Sequence, residues 1–320
     1  MGIMSDTLKL FILRHGQSDL NHENIFCGWI DAKLTEKGRS QAQKAGQLIK
    51  QHCETTGVPL PQIGYTSRLL RTEQTMDVIL NELEIGDKED DGHYKNPIFV
   101  VFDYTYTLAE VRSYLLSEKE HSTKQIPVLR TWRLNERHYG AWQGQRKPKV
   151  LKEYGKEQYM YIRRDYNGRP PQVDLNKEMI QEHDLGPVTG YEFKEPNRPL
   201  KYELEGLNKD IVLPEAESLD DVVKRMEPFL DEVILKVARE FELDSCLIVG
   251  HGSSVRSLLK ILEGISNEDI KDVDIPNGIP LVIELDKKNN FKFIRKYYLD
   301  PELAKINAEK VRNEGFEENP

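Results

Sequence analysis

Cysteine is scarce: only Cys27, Cys53 and Cys246 occur in 320 residues. That is too few for a disulfide framework, so a reducing compartment is the expectation. Long apolar runs are missing as well, and none approaches the ~20 residues that cross a bilayer. The first residues, Met1 to Asp6, have no basic stretch and no long apolar one, which does not read as a signal peptide. Asp6 also stands where a myristoylation start carries Ser or Thr. A basic excess is absent: Lys and Arg total 45 against 54 Asp and Glu, a net charge of −9. That balance argues against a globally basic nucleic-acid or anionic-membrane binder, though it says nothing of local clusters. Repeats and low-complexity tracts are also lacking. What is present is 38% hydrophobic and 31% charged residues, too apolar for a disordered chain. A soluble, cytoplasmic protein with neither nucleic acid nor membrane as partner is expected, of one large domain or two.

The apolar stretch 8–13 is too short for a helix and runs into Arg14-His15-Gly16, so it reads as a strand. A helix over 35–51 follows, with Thr35 as N-cap and Ala42, Ala45, Leu48 and Ile49 at helical spacing. Residues 63–67 read as a strand and 71–83 as a helix. Two stretches look inserted. Residues 84–128 begin with an acidic, glycine-containing loop and continue through a strand-like run at 98–102 and a helix-like run at 108–117. Residues 182–212 have no period and read as a long surface loop. Between the two lies a polar helical pattern at 149–166. A helix over 218–241 carries an interruption near Pro228. Residues 245–250 form an apolar strand ending in Gly-His-Gly, 254–262 a helix, and 280–285 with 291–297 a hairpin around Asn289-Asn290. Strands alternating with helices predict an α/β fold with a mostly parallel sheet.

Arg14-His15-Gly16 stands at the carboxyl end of the first strand, where open α/β sheets bind ligands. Arg14 can fork onto phosphate oxygens and neutral His15 can be a nucleophile. His251 ends a second apolar strand in the same way. Two such histidines need different protonation states to cooperate, one neutral to attack phosphorus and one donating to the phosphoryl oxygens. Either could equally be a satisfied loop or cap residue. Glu136, flanked by Arg137 and Tyr139, is a candidate general acid/base. Arg71, Lys147, Arg163 and Arg164 are further cations, for which surface salt bridges are the ordinary alternative.

These pieces together resemble the cofactor-dependent phosphoglycerate mutases of the histidine phosphatase superfamily. The resemblance is carried by Leu13-Arg14-His15-Gly16-Gln17-Ser18 with Asn21, Phe26-Cys27-Gly28-Trp29, Leu34-Thr35-Glu36-Lys37-Gly38, and Tyr65-Thr66-Ser67 with Arg71. It continues through residues 134–140, 154–158, Arg163-Arg164, Glu217-Ser218-Leu219, Gly250-His251-Gly252 and 275–282. It implies a single domain over 1–320, a three-layer α/β fold with a mostly parallel sheet flanked by helices, enlarged by the insertions at about 84–128 and 182–212. It implies a phosphohistidine at His15, with Arg14, Arg71 and His251 around the phosphoryl group and Glu136 handling protons. Ser18, Asn21, Cys27, Gly28, Arg137, Tyr139, Lys147, Arg163, Arg164, Gly252 and Ser253 would bind substrate. The reaction implied is interconversion of 3- and 2-phosphoglycerate, with 2,3-bisphosphoglycerate as phosphoryl donor and no metal. Small phosphorylated three-carbon acids are the partners it implies, and a homo-oligomer is left open.

Three departures bear on this. Cys27 stands where the family usually has Thr or Ser, Ser253 where it has Asn, and Gln17 where it has Glu. Each threatens ligand positioning, and about 1 Å of misplacement can cost about 10²-fold in rate. A phosphatase, or a weakly active or inactive paralogue with a binding role, are therefore the alternatives. If Cys27 lies in the pocket, the arginines should favour its thiolate; the alternative is a buried inert thiol.

Overall fold

The computed structural model describes residues 6–101, 104–117, 125–173, 195, 201–202 and 212–316. From the N-terminus, β1 (Thr7–Arg14) is followed by the single turn α1 (Asp19–His22), the long α2 (Glu36–Thr56), β2 (Gly64–Thr66) and α3 (Leu70–Glu82). The first inserted stretch supplies a short hairpin of β3 (Asp87–Lys88) and β4 (Tyr94–Lys95), then β5 (Ile98–Val100) and α4 (Tyr104–Ser117). Then come β6 (Val128–Arg130) and α5 (Lys147–Arg164), α6 (Leu219–Phe229), a π-helical turn over Leu230–Leu235, and α7 (Lys236–Glu240). The chain ends with β7 (Ser245–Gly250), α8 (Gly252–Glu263), β8 (Leu281–Asp286), β9 (Lys292–Tyr298) and α9 (Pro301–Asn313).

Local chemistry sets the element ends. Thr35 caps α2 by accepting the Gly38 N–H at 3.0 Å, and Gly57 closes it in the left-handed conformation at φ 75°. Ser218 and Asp221 form a reciprocal capping box on α6. Pro228 cannot donate to the preceding turn, and the chain continues beyond it through the wider π turn instead of breaking. The polar helix begins at Lys147, two residues earlier than expected, and Gly155 at φ 77°, ψ 159° interrupts it. No sequence pattern had marked α9. Its signal was Asp300-Pro301: the aspartate accepts the Leu303 N–H at 3.1 Å and the proline opens the first turn.

Seven strands pair in the order β5-β6-β2-β7-β1-β8-β9. The first five run parallel, and β8 and β9 add an antiparallel edge. The stretch 84–128, expected to be an insertion, thus contributes an edge strand to the sheet. Alternation along β1 divides the core. Leu8, Leu10 and Ile12 face Met226, Phe229, Val233, Leu258 and Leu259 from α6, the π turn and α8. Phe11 and Leu13 face Ala42, Ala45, Ile49, Met76 and Ile79 from α2 and α3. The result is three layers, with the central strands β6, β2, β7, β1 and β8 buried and the edge strands β5 and β9 partly exposed. Of the stretch 182–212, only Glu195, Lys201, Tyr202 and Val212 are among the described residues. Val212 is exposed, but Glu195 and Tyr202 are buried. A surface loop is not what the chain makes at those two positions; the rest of that expectation lies outside the described residues.

A close approach holds α2 to the end of β1. A Cβ on Gly38 would lie 2.1 Å from the Gln17 carbonyl oxygen, and one on Gly16 would lie 2.2 Å from that of Gly38. Both obstacles are backbone, so neither side can yield cheaply. Gly38→Ala should therefore lower unfolding free energy by about 1–3 kcal/mol, as overpacking does. Urea denaturation checks this, and a loss within about 0.5 kcal/mol, as for a neutral surface change, would contradict it.

Candidate active site

Three adjacent strands deliver the central groups. β1 is followed by His15, its neighbour β7 by His251, and β2 on the far side of β7 by Ser67. The register pairs Arg14 with Gly250, and the His15 N–H donates to the Gly250 carbonyl at 3.0 Å. The imidazole centroids consequently lie 5.1 Å apart with planes at 63°. A cavity of about 70 Å3 opens beside them. Of the residues expected from sequence, Arg14, His15, Asn21, Cys27, Gly28, Arg71, Glu136, Tyr139, Lys147, Arg163, Arg164, Gly252 and Ser253 line it.

The protons on both histidines can be assigned. His15 Nδ1 lies 2.6 Å from the Gly16 carbonyl, which can only accept, so Nδ1 carries hydrogen. Nε2 keeps its lone pair and accepts from Arg71 Nε at 3.2 Å. Thr72 Oγ1 spends its proton on the Leu69 carbonyl at 2.7 Å. Ser67 Oγ, 2.6 Å away, must donate to Thr72, and it accepts from the Leu69 N–H at 3.0 Å and from His251 Nε2 at 2.8 Å. His251 Nε2 therefore carries hydrogen, and its Nδ1 is buried without a partner among the described residues. Burial, then the neighbouring Arg71 and Arg14, hold His15 well below the usual histidine range. Burial followed by Arg71, His15 and Arg14 does the same to His251. Both rings are thus driven toward the neutral form in this structure, whereas the sequence argument called for different protonation states when the two cooperate on a phosphoryl group.

Glu136 is fixed by main chain. Its Oε1 accepts from Arg137 N at 2.7 Å and from Ser253 N at 3.0 Å. Its own carbonyl takes the Trp29 indole N–H at 2.7 Å and Arg225 NH2 at 3.1 Å. The cations divide into two kinds. Arg71 gives its terminal nitrogens to the Ile30 and Gly28 carbonyls at 2.9 and 2.8 Å. Arg14 places NH1 3.2 Å from the Ile275 carbonyl and leaves Nε buried without a partner among the described residues. Arg164 lines the cavity but pairs with Asp274 at 2.7 Å. Lys147 and Arg163 instead meet the carboxylate of Glu314.

Three expected residues, Ser18, Arg137 and His251, do not line the cavity. Ser18 caps α1, accepting from Asn21 N at 3.2 Å. Arg137 commits its guanidinium to the carbonyls of Ile162, Gly168 and Arg163 at 2.8, 3.2 and 3.1 Å, so it supports the wall where a direct ligand contact was expected. His251 sits behind the lining. Cys27 does line the cavity, but burial pushes its thiol up to about 11, outweighing Arg71, so of the two readings it is the buried thiol, not the thiolate, that the site favours.

Sequence reasoning missed Glu314, Arg256, Ser67, Arg225 and Glu195. Glu314 lies just past α9 and lines the cavity. Although burial pushes its carboxyl up, Lys147, Arg14 and Arg163 outweigh that and hold it at about 2. Its main-chain oxygen accepts from Arg163 NH1 at 2.6 Å. Arg256, one turn beyond Ser253 on α8, also lines the cavity; its place at i+3 was the available signal. Glu195 accepts from His138 Nε2 at 2.6 Å, while His138 Nδ1 accepts the Gly140 N–H at 3.0 Å. Nothing in an aperiodic stretch marked that pairing.

A model of the histidine phosphatase superfamily (branch 1) matches residues 10–92 and 175–294. The chain is 63% identical over 317 residues to phosphoglycerate mutase 2 of Saccharomyces cerevisiae, covering 99% of this chain and 98% of that protein. It is 38% identical over 309 residues to the 2,3-bisphosphoglycerate-dependent phosphoglycerate mutase of Corynebacterium diphtheriae, covering 97% and 98%. Among solved structures, a mycobacterial glucosyl-3-phosphoglycerate phosphatase shares the fold, with TM-score 0.54 and 17% identity over 91% of this chain and 97% of that one.

Two outcomes follow from the geometry. A histidine held neutral by burial binds fewer protons folded than unfolded below about pH 6.5, so its contribution to stability is complete above that pH and is lost as pH falls. His15 should add at most about 1.4 kcal/mol per pH unit to the slope. Urea titrations from pH 7 to 5.5 should therefore give a shallower loss for His15→Ala than for the wild type; equal slopes would contradict the assignment. Removing the carboxylate of Glu314 should free Lys147 and Arg163 for external anions. Calorimetry with inorganic phosphate should find Glu314→Gln binding about tenfold tighter, the scale of one charged hydrogen bond, and unchanged or weaker binding would contradict it.

Proposed function

The chain belongs to the histidine phosphatase superfamily and, within it, to the phosphoglycerate mutase family, and from that premise we propose that it interconverts 3-phosphoglycerate and 2-phosphoglycerate through phosphorylation of His15. The observation that carries this reading is the state of His15: a neutral ring with hydrogen fixed on Nδ1, and a lone pair on Nε2 facing a cationic cavity. Such a nitrogen is a nucleophile without further activation.

The residues present fit a multiply charged phosphate ester. Arg14 Nε and His251 Nδ1, from the residue before His15 and the ring beside it, are buried polar atoms without a partner among the described residues. 2,3-Bisphosphoglycerate, when bound, supplies the phosphoryl group that charges His15. Arg71 would exchange its contact with Nε2 for a phosphoryl oxygen, and Arg14 would neutralise a second. A dianion beside His251 offsets the two guanidiniums that depress its basicity, so that Nδ1 can carry a proton and donate. Fixed cations of this kind spread transition-state charge without reorganising. Glu136, held in place by two main-chain N–H groups, would take the proton of the attacking glycerate hydroxyl and return it to the other. Lys147 and Arg163 would hold the glycerate carboxylate, which must first displace Glu314. Asn21, Gly28, Tyr139, Gly252 and Ser253 would shape the remaining wall, with Arg164 and Cys27 contributing bulk more than charge.

An assay of purified protein coupled to consumption of 2-phosphoglycerate tests this. Turnover should depend on 2,3-bisphosphoglycerate, fall to background in His15→Ala, and drop about 10²–10⁴-fold in Glu136→Gln. Turnover indifferent to His15, or phosphate release faster than isomerisation, would overturn it.

A further inference from the structure

A second and larger cavity, about 430 Å3, adjoins the catalytic one. It is a groove between two helices, and each presents one face to it. From α2 come Lys37, Gln41 and Lys44, at i, i+4 and i+7; from α9 come Leu303, Asn307 and Lys310, at the same spacing. Its volume falls in the range of small-molecule sites, about 300–1,000 Å3. Asn21, Val311 and Glu314 line both cavities, so this groove and the catalytic pocket meet at one shared wall.

The charge of the groove is one-sided. Lys37, Lys44 and Lys310 are exposed side chains on its rim, and among the described residues none of them is ion-paired. Among the described residues the sole acid lining it is Glu314, whose carboxylate is already committed to Lys147 and Arg163. In a protein of net charge −9, such a groove is a local attractor for anions against a repelling surface. Clefts of one sign focus the field and raise encounter rates by about 10–10³-fold.

We propose that the groove between α2 and α9 is a capture site for small multiply charged phosphate esters, holding them ahead of the catalytic pocket and handing them on past Asn21 and Glu314. This rests on the phosphoglycerate reading for the identity of the natural ligand. The lysines hold the anion loosely, as hydrated point charges do, and so permit onward transfer. The polar amides of Gln41 and Asn307 line the path without adding charge.

Stopped-flow mixing of the full-length protein with pyrophosphate, read by tryptophan fluorescence, tests this without needing turnover. The variant Lys37→Gln/Lys44→Gln/Lys310→Gln is compared with a control that loses three exposed lysines outside both helices of the groove, Lys88→Gln/Lys236→Gln/Lys292→Gln. The association rate should fall about tenfold in the groove variant at low ionic strength. The difference should shrink toward 0.1 M salt, where the screening length is about 10 Å. The control should stay within twofold of the wild type. Equal association rates in the two variants, or no pyrophosphate binding by the wild type, would overturn the capture site. In parallel, the groove variant should keep its mutase kcat and lose kcat/KM; an equal fall in both would also overturn it. Absence of mutase turnover in the wild type would sink the functional reading alone, since the association rates are measured independently of it.

Discussion

The parallel pairing of β1 with β7 is the constraint on which the site depends. Arg14 lies opposite Gly250, so the two strands end level and the next residue of each is a histidine. β2 pairs on the other side of β7 with Thr66 opposite Val249, which brings Ser67 to the same rim. A slip of one residue would turn a histidine to the opposite face of the sheet. No polar contact is needed to prevent that. Leu10 and Ile12 face one helical layer and Phe11 and Leu13 the other, and each side chain moved to the wrong side would forfeit roughly 1.5–3 kcal/mol of burial. The chemistry is therefore registered by the hydrophobic core beneath it.

Gathering cations at that rim has a cost, and the molecule meets it in two ways. Arg71, Arg137 and Arg256 are buried, and their N–H groups go largely to backbone carbonyls that end strands and turns, as do some of those of Arg225, which also pairs with the buried Glu217 at 2.7 Å. Those guanidiniums tie the 28–30, 132–136 and 162–168 segments into one frame. Lys147 and Arg163 have a carboxylate instead, and it arrives from the far end of the chain. A buried cation without a counterion is strongly destabilising. Glu314 supplies that counterion whenever no ligand does, which gives α9 a reason to dock where it does. A ligand must compete with this tethered carboxylate, whose effective concentration is high.

Much of the frame was legible because it follows from short-range rules. Strand ends followed by Arg-His-Gly and Gly-His-Gly, the Thr35 cap and the Ser218 capping box are all readable within a few residues. What escaped depends on distance in sequence. Glu314 meets Lys147 across 167 positions, and no local pattern distinguishes it from the other acids near the C-terminus. Arg137 was legible as a cation but not as a spent one, because its partners, the carbonyls of Ile162, Arg163 and Gly168, carry no side-chain signature. At Cys27 the sequence left a thiolate and a buried thiol as alternatives, because proximity to arginine was foreseeable and the extent of burial, which decides for the thiol, was not.

The three departures from the family pattern look different once their contacts are known. At position 253 the contact with Glu136 is made by the backbone N–H at 3.0 Å, which Ser and Asn supply equally. Gln17 accepts the Thr35 hydroxyl at 3.0 Å through its side chain, and its carbonyl accepts the Thr35 N–H at 3.0 Å. It therefore secures the start of α2 while its own N–H is taken by Gln41 at 2.8 Å. Cys27 directs Sγ to the Ile30 carbonyl at 3.6 Å, within the turn whose Ile30 and Gly28 carbonyls hold Arg71. All three substitutions fall where main chain carries the load, and the side-chain change is absorbed by local contacts. The groups proposed to carry charge or a proton, His15, Arg14, Arg71, Glu136 and His251, are each positioned by backbone partners or by neighbours in adjacent strands, so the side-chain changes at positions 27 and 253 leave those contacts in place.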